Sequence, residues 1–427
     1  ASAVLAVTSQ HMCGMGGDLF ALVHRPGADV ECLNSSGRAG SGADPDRLRG
    51  EGHTEMPFKD DIRAVTVPGC VDGWVTLHER HGRLPLTDVL AAAADYAADG
   101  FPAGPQLTLS YANVAHLPEA ADYIAGGPLA TGRRVRRPGV ARTLEAIGTD
   151  GRAAFYEGEF GAGLIALGSG EYTTDDLARS QADWVTPTTA SAWGHDLFTV
   201  PPNSQGYLSL AGAVIADGLP LPTDASDPLW AHYLVESARM AGFDRPAVLH
   251  EGADGQALVS EQRLGPRRAL IGADRTAPLP HPTSGGGTMY MCAVDTDRMG
   301  VSLIQSNASG FGVHLAEPGT RIFLQNRGTG FSLVAGHPAE YGPGRRPPHT
   351  LSPALVRRSN GSLRSVIGTM GGDHQPQVVL QMLARLLHCD QTPVEVVASG
   401  RWYLSGPITT GFHTWARPDE LGVILEG

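Results

Sequence analysis

The sequence predicts a mixed α/β fold, on three grounds. Near its start, two apolar runs, Leu19–Val23 and Val30–Leu33, flank a glycine-containing polar loop and read as paired strands. The middle of the chain carries helical patterns. After position 288 short alternating segments return in pairs.

The elements follow in order. TDVLAAAADYAA (Thr87–Ala98) is a helix with Thr87 as N-cap, ended by Gly100 and Pro102. Arg142–Gly148 and Thr174–Ser180 are short helices, the second introduced by Thr173-Thr174. Trp230–Gly242 places Leu234, Val235, Ala238 and Ala241 at helical spacing, the stripe that packs on a sheet. Gly265–Gly287, rich in Arg, Pro, Gly and Ser, has no clean period and reads as an exposed linker. Thr288–Val294 and Val301–Gln305 alternate around the turn Asp295–Gly300 and form a hairpin, with Thr288, Tyr290, Cys292 and Val294 on one face. Leu355–Arg358 and Arg364–Ile367 form another, turned at Asn360-Gly361, and Pro376–His388 is a helix.

The chain has 427 residues, 42% hydrophobic and 18% charged, which is enough to bury a large core. Its net charge is −12, and its basic residues cluster only at Arg133-Arg134 and Arg136-Arg137, so no nucleic-acid partner is expected. No run reaches the roughly 18 apolar residues of a membrane span, so no membrane partner is expected either. The five cysteines (Cys13, Cys32, Cys70, Cys292, Cys389) are scattered and odd in number. They show no metal-ligand spacing and no disulfide framework, although one disulfide stays open. A reducing, cytoplasmic setting fits, with no metal and no cofactor expected.

Three glycines, Gly285 to Gly287, run into Thr288 at the head of a strand. A self-cleaving N-terminal-nucleophile hydrolase needs this arrangement. The Thr288 hydroxyl must bend back onto the Gly287 carbonyl, and glycine permits that geometry. After cleavage between Gly287 and Thr288 the threonine owns a free α-amine of pKa about 7.7–8.0. That amine can take the proton of its own hydroxyl, so one residue supplies nucleophile and base. The same residues also read as a plain Gly-rich loop entering a core strand.

TMYMCAVD from Thr288 resembles the opening of the small subunit of the gamma-glutamyltransferase family, whose acylase-like branch also fits. Downstream, EPGTRIFLQNRGTGFS (Glu317–Ser332), PGRRPPHTLSPALV (Pro343–Val356) and VIGTMGGDHQPQ (Val366–Gln377) resemble that family's substrate-covering, Pro-rich and oxyanion segments. Upstream, His11–Val23, Val67–Trp74, Ala154–Phe160, Val200–Gly206 and the Glu236…Phe243-Asp244-Arg245 run fit as well, in the family's order. The resemblance implies the four-layer αββα sandwich of the N-terminal-nucleophile hydrolases. It also implies a large-subunit segment 1–287, ending in the processing linker, and a small-subunit segment 288–427, together one fold. Large and small fragments from one precursor are expected, and a dimer of such heterodimers stays open. The start ASAVLAVTSQ resembles the middle of a helix that the family begins earlier, so export stays open too. The stop at PDELGVILEG falls before the family's C-terminal hairpins.

For the chemistry, the resemblance implies Thr288 as nucleophile, Gly371 and Gly372 as oxyanion donors, and Ser306 as the hydroxyl beside the nucleophile. Gly371-Gly372 also reads as a tight turn. Ala308 stands where the family often has Asn, which leaves the role of Asn307 open. Two charge partners for a γ-glutamyl group are missing: Ser36 stands at the family's carboxylate-binding Arg and Gly330 at its amine-binding Asp. An unpaired buried ammonium is costly, so a γ-glutamyl substrate is disfavoured. The two serines with which the family holds the carboxylate correspond to His349 and Thr350. Arg38, Arg327 and His349 become candidate contacts for the carboxylate of a small acidic substrate, with a surface arginine and a loop histidine as the bland alternatives for Arg38 and His349. Two reactions stay open: cleavage of an amide or related acyl bond, and cleavage of a carbon–carbon bond beside a carbonyl in actinomycete natural-product biosynthesis. A non-catalytic homologue is the third reading.

Overall fold

The computed structural model describes residues 1–277, 289–406, 414–416 and 420–426. Contacts divide the chain into two compact units. One comprises 1–19, 33–183 and 305–347, and the other 20–32, 184–304 and 348–427. Each takes chain from both sides of position 287/288, so the compact units cut across the two sequence segments.

In the first unit the strongest packing is between two helices, Leu86–Asp99 and Pro138–Asp150. The first buries Leu90, Ala93, Ala94 and Ala97, and the second Val140, Ala141, Leu144 and Ile147. Alanines at the contact let the two backbones approach closely. The Leu86–Asp99 helix is capped at Pro85 without a side-chain hydrogen bond, so Thr87 lies inside it rather than at its N-cap. Proline pre-sets the backbone there and replaces the expected hydroxyl cap. Thr173, by contrast, closes a full capping box with Asp176. A small ribbon pairs β3 (Phe101–Pro102) with β4 (Arg134–Val135).

The second unit holds most of a five-stranded sheet of order β5-β2-β1-β9-β8. Its strands are β1 (Asp18–His24), β2 (Glu31–Ser35), β5 (Asp183–Val185), β8 (Met289–Val294) and β9 (Gly300–Ser306). A four-stranded antiparallel sheet of order β11-β10-β7-β6 comprises β6 (Thr188–Ala192), β7 (His195–Thr199), β10 (Ala354–Arg358) and β11 (Leu363–Ile367). Strand alternation sorts its side chains. Phe198, Leu355 and Leu363 meet Phe20, Leu22, Val30, Cys32 and Ile304 from the five-stranded sheet. Leu197, Ala354, Val356 and Ile367 join the helices Tyr207–Asp217, Pro228–Gly242 and Gln375–Leu383. Sheet, sheet and helices thus form successive layers within this unit. A last hairpin pairs β12 (Trp402–Ser405) with β13 (Gly422–Leu425).

Both predicted hairpins after 288 are present. The helix predicted over Pro376–His388 is regular over Gln375–Leu383 and widens to a π-turn at Ala384–His388. The start of the predicted linker is helical instead: Glu261–Arg268 forms a helix that carries Pro266 and buries Leu264. The rest of the linker from 278, with the cleavage position Gly287 and Thr288, lies outside the described residues.

Candidate active site

The residues singled out by sequence fall into one group in each unit. In the second unit, the chain leaving β11 turns through Gly371 (φ 124°) and Gly372 (φ 58°), backbone positions that side chains rarely adopt. The Gly371 carbonyl accepts from the His374 N–H at 3.0 Å. The Gly372 carbonyl accepts from the Gln375 N–H and from Nε2 of Gln205, the latter at 2.9 Å. The N–H groups of Gly371 and Gly372 donate to no partner among the described residues. Because C=O and N–H point opposite ways across a trans peptide, anchoring the Gly371 carbonyl fixes the direction of the free Gly372 N–H. Adjacent unspent donors of this kind are what an oxyanion requires.

Around this turn Asp373 is buried and His374 half-buried. Asp373 lies 3.4 Å from the Arg245 guanidinium. His374 stacks on Tyr403 at 4.3 Å, and burial lowers its pKa to about 4, so it is neutral at pH 7. His349 is fully buried and packs edge-on against Phe20 at 4.7 Å. Its Nδ1 accepts the Leu351 N–H at 3.2 Å, which puts the proton of a neutral ring on Nε2. The backbone of His349 exchanges hydrogen bonds with Asn203 and Gln205, and the Thr350 carbonyl accepts from Gln205 Nε2 at 2.9 Å. Gln205 therefore joins the 349–350 loop to the 371–372 turn.

In the first unit, Ser306 Oγ accepts from the Ala308 N–H at 2.9 Å and from Arg327 Nη2 at 3.3 Å. Arg327 is only 1% exposed, so this is a buried cation beside a hydroxyl. Asn307 is turned elsewhere. Its Nδ2 donates to the Gln10 carbonyl at 3.2 Å, while its Oδ1 has no partner among the described residues. Arg38 donates to Asp183 at 2.9 Å, and Arg346 contacts the same carboxylate at 2.9 Å. Partial burial works against the charge on Asp183, but the Arg38 hydrogen bond and the Arg346 charge hold its pKa below the usual value. Arg346 Nε also donates to the Ser36 carbonyl at 2.8 Å. A guanidinium thus stands against the backbone of Ser36, the position where the family's cation was missing.

Sequence reasoning passed over Gln205 and Arg346 as functional candidates. Both lay in motifs noticed for other reasons, VPPNSQG and PGRRPPHT. Nothing local marks either one, because each acts through partners far away in sequence. Among the described residues no group of three or more metal-ligating side chains occurs, and no helix is long and apolar enough to cross a membrane.

The layered sheets and the site segments define a hydrolase of the αββα N-terminal-nucleophile class, and comparison with known proteins agrees. The gamma-glutamyltranspeptidase family profile matches residues 1–411, and the chain belongs to that family. It is 34% identical over 441 residues to the glutathione hydrolase-like YwrD proenzyme of Bacillus subtilis, covering 100% of this chain and 82% of that protein. It is equally 34% identical, over 450 residues, to the oxamate amidohydrolase proenzyme of Klebsiella pneumoniae, again covering 100% and 82%. The crystal structure of the cephalosporin acylase from Bacillus halodurans superposes with a TM-score of 0.86 at 29% identity, covering 94% of this chain and 77% of that one.

Proposed function

We propose that this chain is a self-processing N-terminal-threonine amidohydrolase acting on a small carboxylate-bearing amide that lacks a γ-glutamyl α-amine. The observation that carries the reading is the pair of N–H groups at Gly371 and Gly372 that donate to no partner among the described residues, a ready pair of donors for an oxyanion on the segment that the family uses for it. The precursor splits between Gly287 and Thr288, leaving segments 1–287 and 288–427. The freed Thr288 amine takes the proton from its hydroxyl as Oγ attacks the substrate carbonyl. The Gly371 and Gly372 N–H groups hold the oxyanion. The C–N bond then breaks, and the amine departs with the proton. Water hydrolyses the resulting ester, releasing the acid and restoring Thr288.

Ser306 is proposed as the hydroxyl beside the nucleophile, since the chain leaves the β8–β9 hairpin there and enters it directly after Thr288. Arg38, Arg327, His349, Thr350 and, through its Oδ1, Asn307 are proposed substrate contacts, with Arg38 the first candidate for the carboxylate and Arg327, buried beside Ser306, the second. The substrate class rests on Ser36 and Gly330, which leave the amino-acid end of a γ-glutamyl group without its charge partners. The relationship to an oxamate amidohydrolase points the same way, because oxamate is a small acid carrying an amide and no α-amine.

Intact mass spectrometry should find two fragments meeting at Gly287/Thr288, and Thr288→Ala should give one uncut, inactive chain. Product masses from oxamate, glutaryl-p-nitroanilide, γ-glutamyl-p-nitroanilide and a cyclic keto acid then read the substrate. An active chain that never splits sinks the self-processing mechanism. Turnover of the γ-glutamyl compound well above the other amides sinks the substrate class, and cleavage of the keto acid alone replaces amide chemistry with carbon–carbon cleavage.

A further inference from the structure

We propose that Gln205 is a positioning residue for catalysis, holding the Gly371–Gly372 turn in register with the 349–350 loop. The inference rests on the reading of Gly371 and Gly372 as oxyanion donors.

Gln205 has no exposed surface and lies in the segment between β7 and the helix Tyr207–Asp217. Its backbone N–H donates to the His349 carbonyl at 2.8 Å. Its side-chain NH2 spends both hydrogens on carbonyls, of Thr350 and Gly372, each at 2.9 Å. This settles the orientation of the amide, because a flipped group would set Oε1 against two acceptors. Oε1 itself is buried with no donor among the described residues. An unsatisfied buried acceptor is destabilising, and an apolar side chain of similar volume would avoid it. Stability therefore does not account for a glutamine here, whereas the two bonds of its NH2 group do.

The turn needs such an anchor. Two successive glycines at positive φ have the least intrinsic preference for any one geometry. The His374 and Gln375 bonds to their carbonyls are local and close the turn upon itself. The Gln205 bond spans 167 residues of sequence and ties the turn to the segment between β7 and the helix Tyr207–Asp217. Its loss leaves the turn formed but free to shift, and a shift of about 1 Å in a catalytic donor can cost about a hundredfold in rate.

The test uses the full-length, self-processed protein and the amide of the above panel with the highest wild-type rate. Gln205→Ala should still be cut into two fragments and should lose kcat by about tenfold to a hundredfold, with a smaller change in KM. Gln205→Asn, one methylene short of bridging both carbonyls, should fall between. A folded, cleaved Gln205→Ala with kcat within about twofold of wild type overturns the proposal. Should Gln205→Ala not fold or not process, the isosteric Gln205→Glu decides. As a carboxylate it faces two carbonyls, and as an acid it regains one donor, so its kcat relative to wild type should rise as pH falls. A wild-type kcat and pH profile in Gln205→Glu overturns the proposal equally. If Thr288→Ala keeps full turnover, the N-terminal-threonine reading has failed instead, and the two failures are told apart.

Discussion

Ser306 and Asn307 are neighbours in sequence and part company in space. Ser306 turns to Arg327, and Asn307 to the Gln10 carbonyl, as the two faces of a strand end require. The same contrast separates the cations. Arg327 is buried beside a hydroxyl, while Arg38 shares Asp183 with Arg346. Arg38→Ala should leave processing intact and lower kcat/KM for acidic amides by about tenfold or more, since a charge-assisted contact is worth roughly 1.5–3 kcal/mol. Unchanged kcat/KM across the panel would move the carboxylate site to Arg327. Two histidines, His11 buried and His374 half-buried, give a pH prediction. Burial lowers both His11 and His374 to about 4, below the unfolded value near 6.5. The unfolded chain takes up protons first as pH drops, so both groups remove stability between about pH 6.5 and about pH 4. At about pH 5 each should cost on the order of 1–2 kcal/mol. Denaturant midpoints that stay flat from about pH 7 to about pH 5 would contradict this.

At the scale of elements, Tyr290 anchors the β8 strand to its neighbours. The Tyr290 hydroxyl meets Ser302 Oγ at 2.9 Å, and its ring lies over Gly368, where an added Cβ would come within 2.2 Å of it. Gly368 directly follows β11, so the tyrosine ties β8 to that strand's exit. Gly368→Ala should displace the ring, cost about 1–3 kcal/mol by overpacking, and slow turnover through the strand that begins one residue after Thr288. Thermal denaturation checks the first effect and kcat the second, and a variant with unchanged Tm shows that the ring yields freely. The strand pairs after 288 were legible in the sequence because alternation and the Asn360-Gly361 turn are local signals. The helix Tyr207–Asp217 was not, because it is apolar nearly all round and presents no stripe. The helix over Glu261–Arg268 was hidden by Gly265 and Pro266, whose poor propensity was overridden by packing of Leu264.

For the whole molecule, all five cysteines are free thiols. Burial pushes Cys13 up to about 12 and raises Cys32 and Cys70 as well, whereas Cys292 is exposed on β8. Native protein should therefore show one fast thiol with a disulfide reagent, lost in Cys292→Ser, a slower one at Cys389, half-buried and raised by burial, and no reaction of Cys13, Cys32 and Cys70 until unfolding. Reductant should leave Tm unchanged, and a clear fall in Tm would reveal a disulfide.

The sequence by itself determined the α/β class, the hairpins of the second half, the family, and the segments in which Ser306, Arg327, His349 and Gly371-Gly372 lie. Periodicity, turn residues and motif order are all properties of neighbouring positions, so one chain suffices to read them. Only the tertiary structure decided that Arg346 stands against Ser36, that Arg38 and Arg346 share Asp183, and that Gln205 joins Thr350 to Gly372. Those partners lie 145 to 310 residues apart along the chain. Their pairing is fixed by how the strands and loops stack, and no local pattern records it.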